Sequence, residues 1–160
     1  MSIEEFAKEI ERMDDRYLFK AKRIDNGEWV QGSLVYDNRD EMYRIIIDIH
    51  YSTGTCLTTD NAPKVDASTI CQCTGLKDKN GKLIWENDVV RVYGDTDDFG
   101  NNLYYFYKVV WNKDLCCWWL SDIYTQEDEY LYICLKGIDV IGNIFDNPEL
   151  LERGCKNDCK

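Results

Sequence analysis

The sequence predicts an all-β, mainly antiparallel chain, and three observations carry that reading. Asn80-Gly81 separates Gly75-Leu76 from a strongly β-forming run over 82–93. Asn26-Gly27 separates the runs 17–24 and 28–36 in the same way. Asn-Gly is the strongest short hairpin signal, because a type I′ turn needs positive φ at both central residues. The third observation is alternation over 43–51. Tyr43, Ile45, Ile47, Ile49 and Tyr51 fall on one face, and Arg44, Ile46, Asp48 and His50 on the other. That is the pattern of a strand with one face in the core and the other largely wet.

The chain begins with a short amphipathic helix over 2–13. Ser2 and Glu5 make a capping box, and Ile3, Phe6, Ala7, Ile10 and Met13 share a face. Twelve residues are too few for an isolated helix, so that face docks on its own barrel, on another subunit or on a partner. The first hairpin turns at Asp25-Asn26-Gly27, with Gly32 in the returning strand marking a bulge or a close approach. A polar loop at 37–41, the alternating strand, a loop over 52–66 and a short strand over 68–74 follow.

Leu83, Ile84, Trp85, Val89, Val90 and Val92 then form the β run after Asn80-Gly81, broken by a bulge or tight bend at Glu86-Asn87-Asp88. Residues 94–102 are an acidic loop with Phe99 as its apolar anchor. A hairpin over 103–111 and 115–124 turns at Asn112-Lys113-Asp114. Strands over 130–135 and 137–145 end at Asp146-Asn147-Pro148, before a helical turn at 149–153 and a loose tail.

The count is nine or ten short strands. Asn26-Gly27 with Trp29, Gly32 and Tyr36 is a loose echo of Asn80-Gly81 with Trp85, Asp88 and Tyr93. That pseudo-repeat fits two small barrel-like halves, about 17–70 and 71–148. They lie between a helical extension, 1–16, and a tail, 152–160.

With 44% hydrophobic and 13% aromatic residues in a chain of 160, there is enough apolar surface for a folded core. The 19 basic residues face 30 acidic ones, a net of −11. Phosphate neutralisation by Lys and Arg dominates non-specific nucleic-acid affinity, so this balance argues against such binding. The acids either keep an aromatic-rich protein soluble or meet a basic partner. The amino end has no signal-peptide pattern and no apolar run reaches membrane-spanning length, so the expectation is a cytoplasmic protein with no membrane contact.

In that reducing compartment the eight cysteines are thiols rather than a disulfide framework. Cys71-Gln72-Cys73 and Cys155-x3-Cys159 could supply four thiolates, but the spacing matches zinc knuckles only in part. Core packing accounts for Cys71 and Cys73 equally well, and adjacent Cys116 and Cys117 point to opposite faces. Neither a metal nor a cofactor is expected. His50, the single histidine, shares a face with Asp48 as a metal ligand, as half of an acid/base pair or simply as surface. No phosphate loop, nucleophile elbow or metalloprotease motif is present, so no catalytic residue is assigned.

Aromatics crowd the hairpin 103–124. Alternation sends half of them inward, leaving Tyr105, Tyr107, Trp118 and Tyr124 as candidates for an interface. They could also stack bases, though only Lys108 and Lys113 lie near, or pack the two halves together.

Three blocks, YLFKAKRIDNGEWVQGSLVY, TGLKDKNGKLIWENDVVRV and VIGNIFDNPELL, resemble in that order the signature stretches of the YopX protein family. The resemblance covers about 135 of 160 residues. It implies a small phage or prophage protein with SH3-like or barrel-like parts and no established enzymatic activity. The matching positions are Trp29, Gly32, Gly75, Leu76, Asp78, Gly81, Ile84, Asp88, Ile141, Gly142, Asn143, Asn147 and Pro148. Asn87 stands where the family usually has Gly, and Asn tolerates the left-handed region.

The function expected is a non-enzymatic accessory module that binds protein, either a second copy of itself or a host or phage factor. The alternative is a nucleic-acid-associated SH3-like or OB-like module in phage replication or regulation.

Overall fold

The structure, a computed structural model, describes residues 15–47, 62–96, 99–123, 128–131 and 137–152. It is all-β, with ten strands and almost no helix among the described residues. The strands are β1 (Phe19–Lys22), β2 (Trp29–Asp37), β3 (Met42–Ile46), β4 (Cys71–Lys77), β5 (Leu83–Trp85), β6 (Asp88–Thr96), β7 (Asn102–Asn112), β8 (Cys117–Asp122), β9 (Glu129–Tyr130) and β10 (Ile138–Asn143). They form two antiparallel sheets, ordered β3-β2-β1-β4-β5 and β10-β6-β7-β8-β9. The predicted amino-terminal helix and most of the tail lie outside the described residues. No described helix is long and apolar enough to cross a membrane.

The chain divides into two compact units, Met1–Gly75 and Leu76–Lys160. In the first, β1 pairs with β2 from Phe19↔Gly32 to Lys22↔Trp29, and β2 with β3 from Ser33↔Ile46 to Asp37↔Met42. Residues 63–66 then join β3 back to the end of β1. Ile45 N–H donates to Pro63 O at 3.3 Å and Val65 N–H to Tyr43 O at 3.0 Å. On the other side, Ile24 N–H donates to Lys64 O at 3.0 Å and Asp66 N–H to Lys22 O at 2.8 Å. The ladder is thus a closed circuit around Ala21, Ile45 and Val65, flanked by Phe19, Val30, Leu34 and Ile70. Gly32 is required where β2 crosses β3, because a Cβ there would drive into the carbonyl of Ile46.

The second unit is built on β6 and β7, with Val90↔Tyr107 and Val92↔Tyr105 in register. Val109↔Leu120 continues the row into β8, and Val140↔Val90 into β10. Its core is Ile84, Val90, Val92, Tyr107, Val109, Leu120, Leu131 and Ile138, with Leu76, Trp118 and Val140 against it.

Three expectations change. The turns are not type I′, since Gly27 and Gly81 have positive φ but Asn26 and Asn80 do not. At 78–82 Gly81 N–H donates to Asp78 O and Asp78 N–H to Lys82 O, a three-residue loop ending in a left-handed glycine. The Asp78 carboxylate decides this, accepting from the amides of Asn80 at 2.8 Å and Lys82 at 2.9 Å. Second, Arg44 is buried at 9% exposure whereas Ile47 is 62% exposed, because the β2–β3 ladder ends at Ile46. Third, the chain enters β1 through a 3-10 turn at Asp15–Tyr17, and β4 through another at Ala67–Thr69.

The bend predicted at Glu86-Asn87-Asp88 is present. Asn87 has φ of 65°, its N–H reaches Val109 O at 2.8 Å, and Asp88 accepts from the Trp85 amide at 2.9 Å.

Candidate interaction surfaces

β6 and β7 run on past their core, and there the side chains change from aliphatic to aromatic. By register, Arg91 and Tyr93 share one side of the sheet with Phe106 and Tyr104. The Tyr93 and Tyr104 rings meet edge to face with centroids 6.0 Å apart. Both stay open to solvent, at 47% and 42%. The Arg91 guanidinium lies 4.8 Å over the Tyr104 ring and is held from the other side by Asp139 at 2.6 Å. Its hydrogen bond to Asp139, against the opposing effect of partial burial and with help from Lys79, holds that carboxyl below its ordinary range. On the reverse side Tyr105 is 47% exposed, its ring occupying the space a Cβ on Gly94 would need. Exposed Leu103 adds to this aromatic end.

The candidates read from alternation separate here. Tyr105 is exposed, but Tyr107, at 8%, is a core residue. Trp118 packs half-buried against the same core and meets Trp111 edge to face at 5.1 Å. Tyr124 lies outside the described residues. Tyr105, Tyr107 and Trp118 all share the core side, and the opposite side carries Tyr93, Tyr104, Phe106, Trp119 and Tyr130. Alternation gives two sets and does not say which one the core takes. Tyr93 and Tyr104 were missed for that reason.

The first unit contributes a second surface. Arg44 is clamped by Asp40 at 2.6 Å and Asp37 at 3.1 Å, and it donates to the carbonyl of Ala62 at 2.9 Å. Arg39 pairs with Asp37 at 2.8 Å and Lys64 with Asp40 at 2.7 Å. Lys64 chiefly, with Arg44, lowers the Asp40 carboxyl against partial desolvation. These ion pairs tie β3 to the segment that closes the circuit. Beside them lies an open cleft of 880 Å³ whose lining includes Ile24, Tyr36, Glu41, Met42, Tyr43 and Val65. Tyr36 and Tyr43 are partners across β2 and β3, edge to face at 5.1 Å.

Comparison with known families matches the YopX protein family over residues 18–152. The chain belongs to the YopX family. It is also similar to the crystal structure of protein EF1440 from Enterococcus faecalis, at 26% identity, over 83% of this chain and 96% of that one, with a TM-score of 0.47. No curated protein matches.

Most positions of the YopX pattern hold turns and crossings. Asp78, besides its own turn, accepts from the Val140 amide at 3.2 Å, fastening the 78–82 turn to β10. Burial presses its carboxyl upward, and the amides of Lys82, Val140 and Asn80 outweigh that, so it lies below its ordinary range. Asn143 Oδ1 accepts from the Phe145 and Asp146 amides at 2.9 and 3.0 Å. The Asn147 side chain fills the space beside Gly142, and Pro148 opens a 3-10 turn, Pro148–Leu151. Trp29 lies under Lys20 and Lys22, 5.2 and 5.5 Å from its ring.

Among the YopX chain's thiols, Cys71 and Cys73 are fully buried on one side of β4, and Cys71 Sγ donates to Thr69 O at 3.4 Å. Cys116 is exposed and Cys117 half-buried, and these four described cysteines are thiols rather than disulfides. Asp48, His50, Cys56, Cys134, Cys155 and Cys159 lie outside the described residues.

Proposed function

We propose that this YopX protein is a non-enzymatic, phage- or prophage-encoded module that works in the bacterial cytoplasm and self-associates through the aromatic end of β6 and β7. The observation that carries this reading is the exposure of Tyr93 and Tyr104, ring against ring on one side of a five-stranded sheet. Tyrosine offers large amphipathic area with little conformational entropy to lose, and a clustered aromatic patch is a usual mark of a protein interface. Arg91 and Asp139 put both charge signs beside the rings, so a two-fold pairing can set one against the other. The closed ladder of the first unit supports reading that half as an SH3-like barrel.

Copies carrying −11 each repel, so salt should strengthen their association, whereas it would weaken a complex with a basic partner or a nucleic acid. Light scattering of the full chain, from about 50 mM to about 500 mM salt, reads the sign. The expected result is a dimer that grows with salt and is lost in the Tyr93→Ser/Tyr104→Ser variant. A monomer at every salt concentration overturns the proposal. Anisotropy of a labelled single-stranded oligonucleotide that rises with added protein and collapses with salt would favour the nucleic-acid reading instead.

A further inference from the structure

We infer that the first residues of β7 form a free sheet edge, and that the same residues of a second copy pair with it antiparallel across a two-fold axis at Leu103. The inference rests on the self-association proposed above and adds how the two copies join. It starts from the direction of the backbone groups. The Val109 carbonyl accepts from the Asn87 amide on the β6 side at 2.8 Å, and the Phe106 carbonyl accepts from Ile123 on the β8 side at 3.2 Å. Backbone groups alternate between the two neighbours of a strand. The N–H and C=O of Asn102 and Tyr104 therefore point as those of Phe106 do, away from β6. β8 does not reach them. Its pairing with β7 starts at Tyr107↔Asp122, where the Asp122 amide donates to the Asp128 carboxylate at 3.2 Å and the chain returns as β9. No backbone bond from a described residue reaches Asn102 or Tyr104 on that side.

Sheet edges are normally guarded by charge, proline or a bulge. Asn102-Leu103-Tyr104-Tyr105 has neither charge nor proline, and the bulge between Tyr93 and Thr96 puts its extra residue on β6. Asp95, Asp97 and Asp98 repel between copies, and salt screens that repulsion. A second copy is the occupant that fits. The free stretch is short, so a long foreign strand laid along it would run into the end of β8. Under the two-fold pairing, Asn102 stands opposite the second copy's Tyr104, and their outward N–H and C=O groups satisfy one another. The incoming strand then ends level with the end of β8, where its own chain turns toward β6. Leu103, exposed in the single chain, meets its own counterpart on the axis with Tyr105 on the same side. On the other side the two Tyr104 rings become diagonal neighbours, within reach of each other.

The test uses the full chain at about 500 mM salt, with light scattering for mass and amide hydrogen exchange for the edge. In the wild type the Asn102 and Tyr104 amides should exchange slowly where the dimer forms and fast on dilution. The Tyr105 amide, directed to β6, should stay protected at both concentrations. Asn102→Pro removes an outward N–H, no inward bond and no ring. It should weaken dimerisation about tenfold or more with little change in melting temperature. Asn102→Ala keeps the N–H and should dimerise as the wild type does. Three results would overturn the inference while leaving association through the rings standing: a dimer whose Asn102 and Tyr104 amides exchange fast, a folded Asn102→Pro variant that dimerises undiminished, or an Asn102→Ala variant as weak as Asn102→Pro. A wild type that stays monomeric at every salt concentration overturns both.

Discussion

The two units solve the same problem, burying one face of a small antiparallel sheet, in different ways. The first bends its strands until residues 63–66 bridge β3 and β1. Its core is small, and the seam is pinned by the ion pairs of Arg44. The second keeps the linear order β10-β6-β7-β8-β9 around a larger aliphatic core. Its surplus is strand length, which carries rings beyond the core. A closed ladder leaves few free edges and puts its surface chemistry into a cleft. A linear sheet with overlong strands puts it at a strand end. The contrast explains why one chain offers a cleft beside its closed ladder and an aromatic surface at a strand end.

The sharpest way to break the comparison is to cut the seam. Arg44→Ala removes a buried cation between two carboxylates and should destabilise the first unit by about 3 kcal/mol. Hydrogen exchange should show the loss in β1–β3 amides while those of β6–β8 stay protected. Uniform loss in both units would mean that they unfold as one. The counterpart in the second unit is Asp78→Ala, which strands three amides and should cost about 2 kcal/mol. Chemical denaturation should place that loss in the second unit.

Acid provides a smaller and graded probe. Asp78 and Asp139 both have carboxyls lowered in the folded state. Their contribution is therefore fully present above the unfolded carboxylate value of about 3.9 and is lost as pH falls through the lowered folded values. Melting temperature should decline steeply below about pH 4, and Asp139→Asn should flatten that decline. The smallest expected effect is a gain. Cys116 occupies the left-handed region at φ of 51°, so Cys116→Gly should stabilise the β7–β8 turn by about 0.5 kcal/mol, read as a slightly higher melting temperature.

How much was legible in the sequence follows from which interactions are local. The Asn-Gly turns, the bend at Asn87 and the strand count rest on neighbouring residues, and they could be read directly. The exact turn type could not, because the Asp78 carboxylate sets it through side-chain bonds that the Asn-Gly pair does not announce. Arg44 was assigned to a wet face because alternation ranks it by polarity, and its carboxylate partners are only apparent once β3 lies beside β2 and residues 62–64. The same limit put Tyr107 and Trp118 among the exposed candidates, whereas both meet the core and Tyr105 alone of the described candidates is exposed. Tyr107 and Tyr104 are equally plausible core residues until the register with Val90 is known.

The closing segment of the first unit has one more consequence, in the order of folding events. The β1–β2 hairpin pairs near neighbours and can form early, whereas Arg23 and Val65 meet across about forty positions. Entropy makes such distant contacts costly until the rest is in place, so the segment seats last and lifts first. The first unit therefore has a built-in point of departure for partial unfolding, at 63–66, next to the cleft that Val65 helps to line.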